Sequence, residues 1–222
     1  AEHTPMDYSE MEKSVLAAKA YGKDILVRVP RGSYSDLIRS LEMDASGIMI
    51  PHVMNADDAR KVIWNTKFHP VGRRPVDGGN ADGMFGKFSF TDYIKFANEN
   101  RFVIIQIEDP EPLDELDEIC SIKGIDMIFF GPGDFSQGIG APGQMDHPKI
   151  SETRKLVVET ARKHGKFAGT VCGPSTYNEY RNMGYQFLTF GSDVIALGNY
   201  CSDIMAKISN SSQVKAGSYA GN

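Results

Sequence analysis

No stretch of this chain approaches the roughly 20 consecutive apolar residues that a membrane-spanning helix needs. The longest apolar runs, Phe102–Ile107 and Met127–Phe130, are the length of β-strands. No basic segment followed by an apolar one stands at the start, so no secretory signal is expected. Cysteine is scarce. Cys120, Cys172 and Cys201 are odd in number, widely spaced and form no Cys-x-x-Cys pair. That usage argues against a disulfide scaffold and for reduced thiols in a cytoplasmic protein. An excess of positive charge is also lacking. The net charge is −5, which favours neither nucleic acid nor an anionic membrane surface as a partner. There is no Gly-Lys-Ser/Thr phosphate loop.

What is present fits one α/β domain over residues 1–222, with 41% hydrophobic residues to fill a single core. Six short apolar runs stand out: Ile25–Val29, Gly47–Ile50, Phe102–Ile107, Met127–Phe130, Phe167–Val171 and Phe187–Phe190. Each is bounded by Gly, Pro or charge, as strands buried on both faces of a parallel sheet are. Amphipathic stretches separate most of them: Ser9–Tyr21, Ser35–Leu41, Ala56–Trp64, Thr91–Asn98, Leu113–Cys120, Ser151–His164 and Ser175–Met183. A last one, Asp193–Ile208, follows the sixth run. Asn55, ahead of Asp57 and Asp58, predicts a helix start, and Gly165 after Lys163-His164 predicts a helix stop.

This alternation predicts a parallel α/β fold. Polar residues follow strand after strand along the whole chain, so a (β/α)8 TIM barrel is preferred to an open sheet with one switch point. Six strands are two short of eight. The expectation is that the first strand, the first helix and most of the second strand lie upstream of Ala1. The glycine-rich stretch Gly72–Gly86 reads as an active-site loop, and residues 209–222 as a polar tail.

Several residues could carry chemistry. Glu108 ends the run FVIIQIE and Asp134 follows IFFGPG, which would bring both carboxylates to one barrel mouth. Such a pair suits a hard ion, Mg²⁺ or Mn²⁺; the bland alternatives are an ion pair for Glu108 and a turn cap for Asp134. Gly131-Pro132-Gly133 could offer N–H groups to a substrate carboxylate, or be a plain turn. Arg28 could stabilise an enolate, or pair with Glu42 or Asp24. His3, beside Glu2, could be a general base or simply exposed. Arg73 and Arg74 could meet anionic groups. His52, His69, His147 and His164 look ordinary.

Glu2-His3-x-Pro5, Arg28-Val-Pro30, Gly47-Ile-Met-Ile-Pro51 with Asn55-Ala56-x-x-Ala59, Gln106-Ile-Glu108 and Gly131-Pro-Gly-Asp134-Phe-Ser136 occur in that order. Together they resemble the class II pyruvate aldolases of the HpcH/HpaI aldolase/citrate lyase family, from Ala1 to about Asp193. The resemblance implies a divalent metal, Mg²⁺ or Mn²⁺ with Co²⁺ as an option, held by Glu108 and Asp134. It implies pyruvate bound by Gln106 and the backbone around Gly133 and Asp134, with Arg28 stabilising its enolate. It implies His3 as acid/base, oriented by a carboxylate that is usually Asp and here is Glu42. The reaction would join pyruvate to an aldehyde or cleave a 2-oxo-4-hydroxy acid. No lysine follows any of the six runs, which argues against Schiff-base chemistry.

The alternatives are a citryl- or malyl-CoA lyase using Arg73, Arg74 and Lys87, and a barrel without catalysis. The apolar stripe of Asp193–Ile208 (Val194, Ile195, Leu197, Ile204, Met205, Ile208) needs cover. The resemblance implies that this helix is exchanged between subunits of a homo-oligomer built from dimers, a hexamer being one form.

Overall fold

A computed structural model of the chain describes residues 3–210. Glu2 and residues 211–222, most of the expected polar tail, lie outside the described residues. The elements are α1 (Tyr8–Ala20), β1 (Leu26–Arg28), α2 (Tyr34–Glu42), β2 (Gly47–Ile50), α3 (Ala56–Thr66), α4 (Phe90–Asn100), β3 (Phe102–Ile107) and α5 (Leu116–Ser121). They continue with β4 (Met127–Phe130), α6 (Pro132–Gly138), α7 (Pro148–Lys163), β5 (Phe167–Cys172), α8 (Tyr177–Met183), β6 (Phe187–Phe190) and α9 (Asp193–Asn210). Two 3₁₀ segments, Ala81–Gly86 and Glu111–Glu115, interrupt the connections.

The strands form where the apolar runs predict, and the caps work as expected. Asn55 accepts from the Asp58 N–H at 2.9 Å, and Gly165 takes φ 68° just after α7. The stretch Leu113–Cys120 differs from expectation, splitting into the Glu111–Glu115 3₁₀ segment and α5. Gly131-Pro132-Gly133, which could have been a plain turn, is the start of a helix, with Pro132 in its first turn, where a missing N–H costs nothing. Gly138, Gly140 and Gly143 have the spacing of a dinucleotide-binding loop. Gly138 ends helix α6 and the other two follow it, with no strand leading in, so the context such a loop requires is missing.

All strands are parallel and pair in sequence order, β1 to β6. A doubly wound sheet would reverse its order partway; this one does not. With right-handed crossovers the helices fall on one side. Val27, Ile48, Ile105, Ile128 and Ala168 accordingly share a core with Leu37, Ile63, Ile119 and Val157. The alternate residues Met49, Ile104, Met127, Phe129 and Phe187 pack together on the other face. Leu26 of β1 and Phe187 of β6 line one cavity there, of about 370 Å³, with Phe102, Met127 and Phe167. First and last strands approach across that face, so the sheet is curled into a half-barrel. A Cβ on Gly169 would stand 2.7 Å from the Phe129 ring, so glycine makes room for the interior aromatics. Six strands are present among the described residues, and no closed eight-stranded barrel is seen.

The Gly72–Gly86 stretch is not at the mouth of its own sheet. Helix α3 carries the chain from the C-terminal end of β2 back to the base. There the carbonyls of Trp64 and Lys67 accept from the N–H groups of Arg73 and Arg74 at 2.6 and 3.0 Å. The loop then folds on a buried centre. Arg74, 3% exposed, donates to Asp82 at 2.7 Å and to the Tyr93 hydroxyl at 3.1 Å, with its guanidinium 4.9 Å from the Phe68 ring centroid. Arg74 thus organises the loop from within. Among the described residues no helix is long and apolar enough to cross a membrane.

Candidate active site

Strand parity selects which side chains face the concave side. Phe102, Ile104 and Gln106 alternate inward along β3, and Glu108 continues that series one step past the strand's end. Arg28 does the same in β1, at the level of Met49 in β2. Asp134 stands in the first turn of α6, just past β4. Glu108, Asp134 and Arg28 thus sit at the C-terminal end of the sheet, where barrel enzymes place their chemistry.

Glu108 is 1% exposed, with Asp82 one of two buried carboxyls among the described residues. One oxygen accepts the His52 backbone N–H at 2.9 Å, and the other accepts from the Gln106 side-chain amide. Burial raises its pKa, opposed by the His52 N–H and His52 charge, raised further by Asp134 and lowered by Arg28. The Gln106 carbonyl oxygen is buried without a hydrogen-bond partner among the described residues. Gly131 underlies both side chains. A Cβ there would stand 2.7 Å from Gln106 Nε2 and 3.0 Å from Glu108 Cβ. At Gly133, by contrast, a Cβ would meet nothing within 4 Å.

Sequence reasoning missed His52. It lies past Ile50-Pro51 at the mouth end of β2, with φ 49°. One ligand atom each from His52, Glu108 and Asp134 falls within 4.8 Å of the others. The His52 Nδ1 is 2.8 Å from Asp109 Oδ2, and that bond is the main cause of a raised imidazole pKa. The same rule that pointed to Glu108, polar residues just past a strand, would have found His52. Two carboxylates and an imidazole suit a divalent cation, whose charge would offset both the burial of Glu108 and its repulsion from Asp134.

His3 is exposed in the turn before α1. Glu42 closes α2 on the base side; two residues on, Asp44 pairs with Arg101 at the entry to β3. Around Glu42 stand Arg74, Asp82, Asp77 and Arg39, and burial raises its pKa. None of these neighbours belongs to the mouth cluster. Ser136 fixes the loop behind Asp134, donating to the Gly133 carbonyl at 2.6 Å and accepting the Gly143 N–H at 2.9 Å.

A half-barrel with an acidic cluster, an imidazole and an arginine at the C-terminal ends of its strands defines an α/β barrel-type enzyme with a candidate metal centre. The chain belongs to the HpcH/HpaI aldolase/citrate lyase family, a family of carbon–carbon lyases, whose model matches residues 2–199. It is 29% identical over 195 residues to the 5-keto-4-deoxy-D-glucarate aldolase of Klebsiella pneumoniae, covering 87% of this chain and 75% of that one. The enzyme of the same description from Escherichia coli O157:H7 is 30% identical over 194 residues, with the same shares covered. The fold is similar to the HpcH/HpaI aldolase from Desulfitobacterium hafniense, with a TM-score of 0.90, 29% identity and 96% and 83% of the two chains covered. It is also similar to the citrate synthase SbnG, with a TM-score of 0.85, 26% identity and 94% and 81% covered.

Proposed function

We propose that this chain is a divalent-metal-dependent aldolase that cleaves or forms a 2-oxo-4-hydroxy acid, with pyruvate as one half and an aldehyde as the other. Keto-deoxy sugar acids are the favoured substrate class, because two similar enzymes carry that activity in their names. The observation that carries the proposal is the convergence of Glu108, Asp134 and Arg28 at one end of the concave face. Glu108 and Asp134 would hold Mg²⁺ or Mn²⁺, which when bound polarises the keto group of a 2-oxo acid and acidifies the adjacent C–H.

The chain's own residues do the rest. The amide of Gln106 and the N–H groups of Gly133 and Asp134, free of helical partners as at any helix start, would hold the substrate carboxylate. Arg28 would stand over the oxygen that gains charge as the C–C bond breaks, where a fixed cation is most effective. His3 would move the proton at the hydroxyl or aldehyde oxygen. Glu42 would orient it, and its base-side position requires that Glu42 come from a neighbouring copy. The coenzyme A lyase alternative is disfavoured by Arg74, which is committed to Asp82 and Tyr93 on the base side.

The same proposal includes the assembly. The concave face leaves Phe167 and Val171 exposed, and two further strands of a (β/α)8 barrel would cover it. Along α9, Val194, Ile195, Leu197, Ile204, Met205 and Ile208 are exposed in a single chain. A neighbouring subunit would bury that stripe, since soluble monomers avoid large apolar patches. Light scattering should therefore give a multiple of 24.5 kDa; a monomeric mass at micromolar concentration sinks both the exchange and the shared His3–Glu42 pair.

The activity is tested by pyruvate release from 2-oxo-4-hydroxy acids, coupled to lactate dehydrogenase. Turnover should vanish after chelator dialysis and return with Mg²⁺ or Mn²⁺. Turnover indifferent to the chelator would end the metal-dependent reading.

A further inference from the structure

His52 is held in place by two contacts that also dictate its chemistry. Its backbone N–H donates to Glu108 Oε1 at 2.9 Å, so the residue is tied to the carboxylate it faces. Its Nδ1 lies 2.8 Å from Asp109 Oδ2. A carboxylate at that distance takes the Nδ1–H, which leaves the neutral ring's lone pair on Nε2. Nε2 in turn lies 3.6 Å from Glu108 Oε1, and a third ligand atom from Asp134 completes a set within 4.8 Å. Two ligands at about 2.1 Å from one ion stand roughly 3 to 4 Å apart. The 3.6 Å between Nε2 and Glu108 Oε1 falls in that range, and the 4.8 Å limit of the set with Asp134 is wider than it, so a bound cation would draw the Asp134 carboxylate inward.

We propose that His52 Nε2 is a third protein ligand to the divalent cation, and that Asp109 is its positioning residue. This rests on the reading of Glu108 and Asp134 as metal ligands. The arrangement is the carboxylate–histidine–metal relay found wherever an imidazole ligand must be fixed in tautomer and orientation. It makes a claim about selectivity that two carboxylates alone do not. An oxygen-only site takes Mg²⁺ and Mn²⁺ readily, whereas one imidazole nitrogen favours the later ions, Co²⁺ above Mn²⁺ and both above Mg²⁺. Consecutive residues Glu108 and Asp109 then divide the work, one binding the ion and the other aiming the ring.

The test uses the full chain stripped of metal, with Mg²⁺, Mn²⁺ and Co²⁺ affinities measured by calorimetry. His52→Asn is the informative variant, because asparagine accepts the left-handed backbone that His52 adopts and keeps the N–H to Glu108. It should weaken Co²⁺ on the order of tenfold or more, and Mg²⁺ by under about threefold. Asp109→Asn should lower Co²⁺ affinity in the same direction by less. In the parent protein, pulsed EPR of bound Mn²⁺ should show coupling to a nitrogen that disappears in His52→Asn. Equal weakening of all three ions would mean that His52 only braces Glu108 and would overturn the proposal, as would absence of the nitrogen coupling. Glu108→Gln separates the two levels. If it leaves Co²⁺ binding intact, the metal centre itself is misassigned; if it abolishes binding while His52→Asn changes nothing, His52 alone is.

Discussion

Replacing Glu108 by Gln should lower aldol turnover on the order of 10³-fold or more while leaving the far-UV circular dichroism unchanged, and Asp134→Asn should do the same. Both changes keep the shape and remove the charge that a cation needs; at position 108 the amide oxygen still accepts the His52 N–H, and the new NH2 group requires the Gln106 amide, whose carbonyl oxygen lacks a partner among the described residues, to turn and accept. The stability of the Glu108 variant tells function from structure. Burial raises the Glu108 pKa above its ordinary 4.5 in the folded chain. Its ionisation therefore opposes folding above the raised value, progressively less down to 4.5, and not at all below 4.5. Near neutral pH the metal-free Gln variant should melt at or above the metal-free parent, with the difference fading below pH 4.5. A markedly lower melting temperature at neutral pH would mean that the carboxylate serves the fold, and the metal assignment would not survive it.

Arg28→Ala should cost kcat on the order of 10²- to 10³-fold with a much smaller change in KM. The guanidinium belongs to the concave face, at the level of Met49, and contributes to the field at Glu108. Its interaction with substrate grows as charge collects on the enolate oxygen, so the loss belongs to the transition state. Arg28→Lys should recover part of the rate, since it restores charge but not the planar fork. If Arg28→Ala instead raises KM with kcat intact, the residue only attracts an anionic substrate.

Most of the sheet was legible because a strand buried on both faces has no choice of composition. Met127–Phe130 is apolar throughout and Phe102–Ile107 is apolar but for Gln106 near its mouth end, and their bounds followed from the residues that break the runs. Helix α6 was not legible, since Gly-Pro-Gly is equally the signature of a turn, and the packing of Phe135 against Phe130, 5.3 Å between centroids, is a tertiary contact that local sequence does not announce. The acidic half of the site could be read from strand ends. Its imidazole was within reach of the same rule, since His52 stands just past β2, but the pairing of that ring with Asp109, 57 positions on, was not. The glycine-rich loop stands away from the mouth of its own sheet, beside Glu42. Its composition says that it is a loop, but its place depends on counting helices, and α3 had already returned the chain to the base.

The contrast between Gly131 and Gly133 has an evolutionary side. Every nucleotide change in the first two positions of a glycine codon adds a side chain or stops the chain. At Gly133 the smallest addition enters open space, so such alleles can drift. At Gly131 the same single methyl reaches the Gln106 amide and the Glu108 stem, two groups of the candidate site. A lineage that no longer requires the reaction can therefore disturb the site in one step. In a set of descendants, the residue at position 131 would separate working enzymes from retired ones more sharply than overall similarity does.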